Sequence, residues 1–215
     1  MKFCWIFYDG ATKKKTKVFI SSVIEGYKDR RGAAEEATIE LNRDKGFNFE
    51  AIRTESNKHP AEDKSSQKVC LDGVKECDIY LGIYPKNNYG WVKSPGGISP
   101  THVEFKKARK CGKQCLIFVE NTKEIDPRQS EFLEEVGEYV DGRFWNEFDF
   151  KELDRLKHQV YRALLKLMES NFEDCLPAYL KSLLCKYELI DVPWNEDVNS
   201  LPVSEVVQLE LREKL

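Results

Sequence analysis

Short apolar runs alternate with longer stretches of helical spacing over the first two thirds of the chain. "KVFIS" (17–21) is a β-rich run, and "YKDRRGAAEEATIELNRDKG" (27–46) has helical composition ending at Gly46, a natural residue just past a helix end. "FNFEAIR" (47–53) predicts a second strand. After the polar "TESNKHPAEDKSS", residues 66–77 set Val69, Val74 and Cys77 on one helical face. Then come a strand, "DIYLGIYP" (78–85), a helix from about Pro100 to Lys110, and another strand, "QCLIFVE" (114–120). Residues 129–140 and 142–148 predict a further helix and a fifth strand. Continuous apolar strands separated by amphipathic helices imply βαβ units and a parallel sheet covered on both faces. The expectation is therefore a five-stranded α/β domain over residues 17–148.

The flanks differ. "MKFCWIFYDG" is apolar only until Asp9 and Gly10 interrupt it, and it lacks the cleavage site of a secretory signal. Residues 1–16 are thus read as a leader or an extra edge strand. Leu153, Leu156, Val160, Ala163, Leu164 and Leu167 recur at helical spacing within 150–170. A second helix is expected over 175–189, entered through Pro177. Residues 149–215 are accordingly a helical extension, and the uncapped apolar-charged ending raises the prospect of a further domain in a longer polypeptide.

Composition narrows the function classes. With 41% hydrophobic and 33% charged residues the chain can build a core and is too apolar for a disordered protein. A net charge of −3 gives no electrostatic case for binding nucleic acid. "KKKTK" (13–17) reads as a solvated basic run before a strand. The seven cysteines, Cys4, Cys70, Cys77, Cys111, Cys115, Cys175 and Cys185, mostly lie in apolar surroundings, as reduced thiols do. Cys111 and Cys115 have no second pair or nearby histidine to complete a metal site, so no metal is expected. No apolar run approaches a membrane span, and a cytoplasmic location without membrane partners is expected.

In an open parallel sheet, ligands bind beyond the carboxyl ends of the strands. That rule selects the loops after residues 21, 53, 84 and 120. The first, "ISSVIEGYKDRR", carries Ser21 and Ser22 and leads to Arg30 and Arg31. Free N–H groups and an arginine there suit an anion; serine N-caps and a solvent-facing arginine pair are the plainer alternative. No GxGxxG or GxxxxGK[ST] follows the strand, which removes standard dinucleotide and P-loop binding.

The second loop, "YPKNNYGWVKSPGGISPTHVE", is unusually long. Tyr84, Tyr89 and Trp91 could stack on a base, and Gly90, Gly96 and Gly97 permit close backbone approach. Ser99-Pro100 is a cap and first-turn pair, which sets Thr101 in the first turn and Glu104 in the second. A carboxylate at such a rim can stabilise an oxocarbenium-like sugar, attack it, or bind a ribose hydroxyl. As a solvated helix residue it would do none of these. Asp78, at the amino end of its strand, suits a turn or capping role.

Together, "KVFISS", "YKDRR", "CDIYLGIYPKNNYG", "GISPTHVEFKKA" and "GKQCLIFVE" resemble one family across about residues 17–148. It is the prokaryotic domain of unknown function often found at the N-terminus of signalling NTPases of the NACHT and related types. That family is similar in fold to Toll/interleukin-1 receptor (TIR) domains and nucleoside deoxyribosyltransferases. The resemblance implies a flavodoxin-like, TIR-like domain. It also implies cleavage of an N-glycosidic bond, with NAD or another nucleotide as substrate and no cofactor beyond it. Glu104 then falls at the catalytic position within "SPTxxE", Ser21, Ser22 and Arg31 match the first loop, and Tyr89-Gly90 matches a recurrent "YG". "YPKNN" stands where relatives commonly carry a glycine and an arginine. The rival implication is a non-catalytic sensor or self-association module of a larger NTPase. A salvage deoxyribosyltransferase is a third.

Overall fold

The computed structural model describes residues 15–53, 65–138, 144–149 and 152–186, with side chains as far as Asn171 in the last helix. The chain divides into two compact units: Asp9–Leu167, and a second made of Met1–Tyr8 with Met168–Leu215. The expected leader up to residue 14, the polar stretch 54–64 and the tail from residue 187 lie outside the described residues.

The first unit is a five-stranded sheet in the order β2-β1-β3-β4-β5. Its strands are β1 (Thr16–Ser22), β2 (Phe49–Ile52), β3 (Ile79–Pro85), β4 (Gln114–Asn121) and β5 (Trp145–Asp149). Every neighbouring pair is parallel. This is the flavodoxin-like arrangement, and its chain order reverses between β1 and β3. Helices α1 (Lys28–Lys45), α2 (Ser66–Glu76), α3 (Pro100–Lys110) and α4 (Pro127–Val136) make the crossovers, and α5 starts at Leu153.

Local chemistry sets most helix ends. Gly46 closes α1 at φ 67°, a left-handed conformation that suits glycine. Ser65 and Ser99 accept from the N–H groups of Lys68 and His102, capping α2 and α3. The Asp126 carboxylate accepts from the N–H groups of Arg128 and Gln129, so α4 begins at Pro127, two residues before the expected start. The expected start of the fifth strand at 142–143 and the helix end at 139–140 lie outside the described residues. Two helices were expected over 150–189, yet α5 runs unbroken to Lys186. Pro177 removes one hydrogen bond, a local cost that need not end a helix whose apolar spacing resumes on its far side.

The pleat sends alternate residues to opposite faces. Phe19, Tyr80, Tyr84, Ile117 and Val119 join Val74, Phe105 and Phe132 in the core shared with α2, α3 and α4. On the other face, Ile20, Leu81, Ile83 and Phe118 are fully buried, as are Ala34, Ala37 and Leu41 of α1 and Leu156, Val160 and Leu164 of α5. At the amino edge the Asp78 carboxylate accepts from the Lys17 N–H of β1 at 2.9 Å, a bond between chain segments in place of the expected turn or cap.

Candidate active site

Ser21 and Glu104 are 83 residues apart in the chain and meet at the carboxyl end of β1. The Ser21 hydroxyl donates to Glu104 Oε2 at 2.5 Å. Register brings them together: Ser21 pairs with Gly82 at the switch between β1 and β3, while the Ser99 cap sets where α3 begins. Glu104 is only 7% exposed, so it is not a solvated helix residue. The Cys70 thiol of α2 lies near enough to favour the charged form of Glu104. Burial raises the Glu104 carboxyl to about 7, against the opposing pull of Ser21, Cys70 and the more distant Arg31. Near neutral pH this carboxyl is therefore poised between its two forms, as acid–base and nucleophilic groups commonly are.

Neither arginine of the first loop faces solvent, and neither serine caps α1; that helix begins after Tyr27 without a side-chain cap. Arg31 Nη1 donates to Ser22 Oγ and to the Val23 carbonyl, both at 2.7 Å, and Nη2 reaches the Ile24 carbonyl at 3.3 Å. Arg31 thus shapes the backbone of the loop after β1. Arg30 crosses to β4, where it pairs with Glu120 at 2.9 Å, and it also donates to the Gly26 carbonyl at 3.2 Å. The Tyr27 hydroxyl donates to the other Glu120 oxygen.

The long loop is held by α3 and α4. The Tyr89 hydroxyl bonds His102 Nδ1 at 2.7 Å, and His102 Nε2 bonds Glu135 at 2.9 Å. Burial lowers the His102 pKa, so a neutral imidazole that donates to Glu135 and accepts from Tyr89 satisfies all three groups. Arg128 lies over the Tyr89 ring at 4.4 Å and donates to the Gly97 carbonyl, holding the loop near both ends. Tyr89 is consequently buried and its face is covered, so it is not open for a base to stack on, contrary to its expected use. Trp91 is 70% exposed and remains an open ring. Gly90 has φ 84°, and a Cβ there would sit 3.2 Å from Val23 Cγ1, so the two loops touch. Thr101 is buried in the first turn of α3 beside Ser99.

Sequence reasoning did not single out Cys70, His102, Arg128 or Glu120. The one signal available was Glu120 itself, a charged residue closing an otherwise apolar strand. Clefts of about 350 and 400 Å³ lie along α2 with Lys107 and between α1, Arg53 and the start of α5. Glu104 lines neither. Among the described residues no helix is long and apolar enough to cross a membrane.

Residues 17–165 match the family model described as a domain of unknown function, DUF4062. The chain belongs to this family. No curated protein matches it. Among solved structures this DUF4062 chain resembles the RPS4 and RRS1 TIR domain heterodimer at 14% identity and a TM-score of 0.44, over 71% of this chain and 97% of that one. It also resembles the CMP N-glycosidase BcmB of Clostridium botulinum at 17% identity and 0.37, over 67% and 98% of the two chains. A third likeness is the flavodiiron protein of Giardia intestinalis at 13% identity and 0.41, over 76% and 37%. All three are distant.

Proposed function

We propose that this domain cleaves the N-glycosidic bond of a nucleotide, NAD among them, with Glu104 as the acting carboxylate. The observation that carries the reading is the buried Ser21–Glu104 pair at the strand-order switch of a parallel sheet, where such folds bind ligands. In its ionised form Glu104 stabilises the positive charge that builds on the sugar as the base departs, or attacks that carbon. Ser21 fixes the carboxylate's orientation. Arg31 and Ser22 shape the loop that would receive the ribose-phosphate, and Gly90, Thr101 and Trp91 lie on the long loop and the first turn beyond it. Because Glu104 is enclosed, entry of substrate requires the chain around it to open.

Base release from NAD and from a panel of nucleosides and nucleotides, followed by chromatography, tests the reading. Glu104→Gln is expected to abolish release, by about 100-fold or more. Equal release by the variant, or none by the native protein at any concentration, would refute it. With Glu104 near 7, the native rate should climb as pH rises through neutrality, because the ionised form acts.

A non-catalytic self-association module, at the head of a larger signalling NTPase, is favoured by a different observation. Ile24, Trp91 and Ile98 are 79%, 70% and 46% exposed on the same two loops. Sedimentation across a concentration series would support this second reading if Trp91→Ser weakened self-association and Glu104→Gln did not.

A further inference from the structure

The long loop between β3 and α3 is fastened near both ends by one side chain of α4. The Arg128 guanidinium lies over the Tyr89 ring at 4.4 Å and donates to the Gly97 carbonyl. A guanidinium can do both at once, because its face meets the ring while an N–H on its edge reaches the oxygen. Arg128 sits in the first turn of α4, a position that favours acidic side chains over cations, so its contacts lie with the loop. Asp126, the cap of the same helix, adds two ties. Its N–H donates to the Lys86 carbonyl at 2.9 Å, and its Oδ2 accepts from the Tyr89 N–H at 3.4 Å. Tyr89 is bonded in turn to His102, on the helix that carries Glu104. Between the two Arg128 contacts the chain packs Val92 against the core and leaves Trp91 exposed.

We propose that Arg128 is a positioning residue for the substrate's base: it clasps Tyr89 to Gly97 and so holds the Trp91 ring where a base stacks. The ligand rests on the N-glycosidase reading, whereas the clasp does not. Among the described residues Trp91 is the one exposed ring on the loops at the carboxyl end of the sheet. Stacking on an aromatic face tolerates any base, so the clasp governs how tightly a base is held more than which base. The Ser21–Glu104 pair lies on β1 and α3 and makes no contact with Arg128, so the effect falls on binding and not on the chemical step. A lysine could reach the Gly97 oxygen or sit over the ring, but its single point of charge cannot do both.

The test uses the full-length protein carrying Glu104→Gln, so that nothing is cleaved. Trp91 emission is followed as NAD or a nucleoside 5′-monophosphate is added, with the same protein carrying Trp91→Phe as the blank. Stacking should quench Trp91, and Arg128→Ala should weaken that binding about ten-fold, with Arg128→Lys between the two. Trypsin reads the clasp without a ligand. Cleavage after Lys93, exposed at the loop tip, should run about ten-fold faster in Arg128→Ala, as mass spectrometry of the fragments will show. In the base-release assay with Glu104 restored, Arg128→Ala should raise KM and leave kcat within about two-fold; a fall in kcat alone overturns the role. Circular dichroism checks folding, and Arg128→Lys carries the test if Arg128→Ala does not fold. Native-like binding and cleavage in the variants overturn the proposal. Faster cleavage with unchanged binding overturns the positioning role and leaves Glu104's proposed role standing. Weakened binding without base release from the native protein upholds Arg128 and overturns the glycosidase reading. Trp91 emission that ignores every ligand and follows protein concentration overturns the proposal in favour of self-association.

Discussion

Two carboxylates are buried at the carboxyl end of this sheet, and they are equipped in opposite ways. Glu104 reaches the sheet from the α2–α4 layer, where it accepts from the Ser21 hydroxyl and no arginine pairs with it at hydrogen-bond distance among the contacts described. Glu120 is reached from α1 on the other face, by the Arg30 guanidinium at 2.9 Å and the Tyr27 hydroxyl. Burial pushes the Glu120 carboxyl up to about 7, and the guanidinium 2.9 Å away opposes that push by favouring the charged form. A carboxylate tied to arginine is a bolt: its charge is already spent. One held by a neutral donor keeps its charge for something else. Similar burial therefore yields a structural group in one case and a candidate reacting group in the other.

The sharpest way to break this comparison is to measure stability by urea unfolding at pH 8. Arg30→Met strands a buried charge and should cost about 3–5 kcal/mol, with a smaller loss at pH 5, where Glu120 can take up a proton. Glu104→Gln should cost nothing or stabilise, because it removes a carboxylate that burial disfavours. If the two variants lose equal stability, the contrast fails.

The pH dependence follows from Glu104's raised pKa. Between its ordinary value of 4.5 and about 7 the folded protein holds a proton that the unfolded chain releases. That stabilisation is complete below 4.5 and is lost as pH rises through 7. The native protein should therefore lose, relative to Glu104→Gln, on the order of 3 kcal/mol between pH 4.5 and pH 8. A flat difference between the two unfolding curves would contradict it.

Two smaller effects sharpen the picture. Gly90→Ala forces a side chain into a left-handed conformation against Val23 and should cost about 1–2 kcal/mol, seen as a lower thermal midpoint. Ser22→Ala deletes one of Arg31's acceptors and should cost about 1 kcal/mol; no loss at all would mean that Arg31 does not depend on it.

Much of the fold was legible because its signals are local. Strand runs, Gly46, the Ser99-Pro100 cap and the place of Glu104 all come from neighbours in the chain. Ser21 and Glu104 could be brought together only by the rule for parallel sheets and the family pattern. What escaped was long-range. "DRR" reads as an anion-binding arginine or a solvent-facing pair, yet Arg30 is buried because its partner lies 90 residues further on. Tyr89 looks like a stacking ring until Arg128 of α4 covers it. The α5 helix passes through Pro177 because one missing hydrogen bond is a weaker determinant than the surrounding apolar spacing.

The contact between Gly90 and Val23 bears on any attempt to retool the domain. Each loop is tied to its own anchors, Arg31 in one case and Arg128 in the other, and the two share a seam. A loop borrowed alone from a relative would meet a surface shaped for a different neighbour. The exchangeable part is the pair, transplanted together with both arginines.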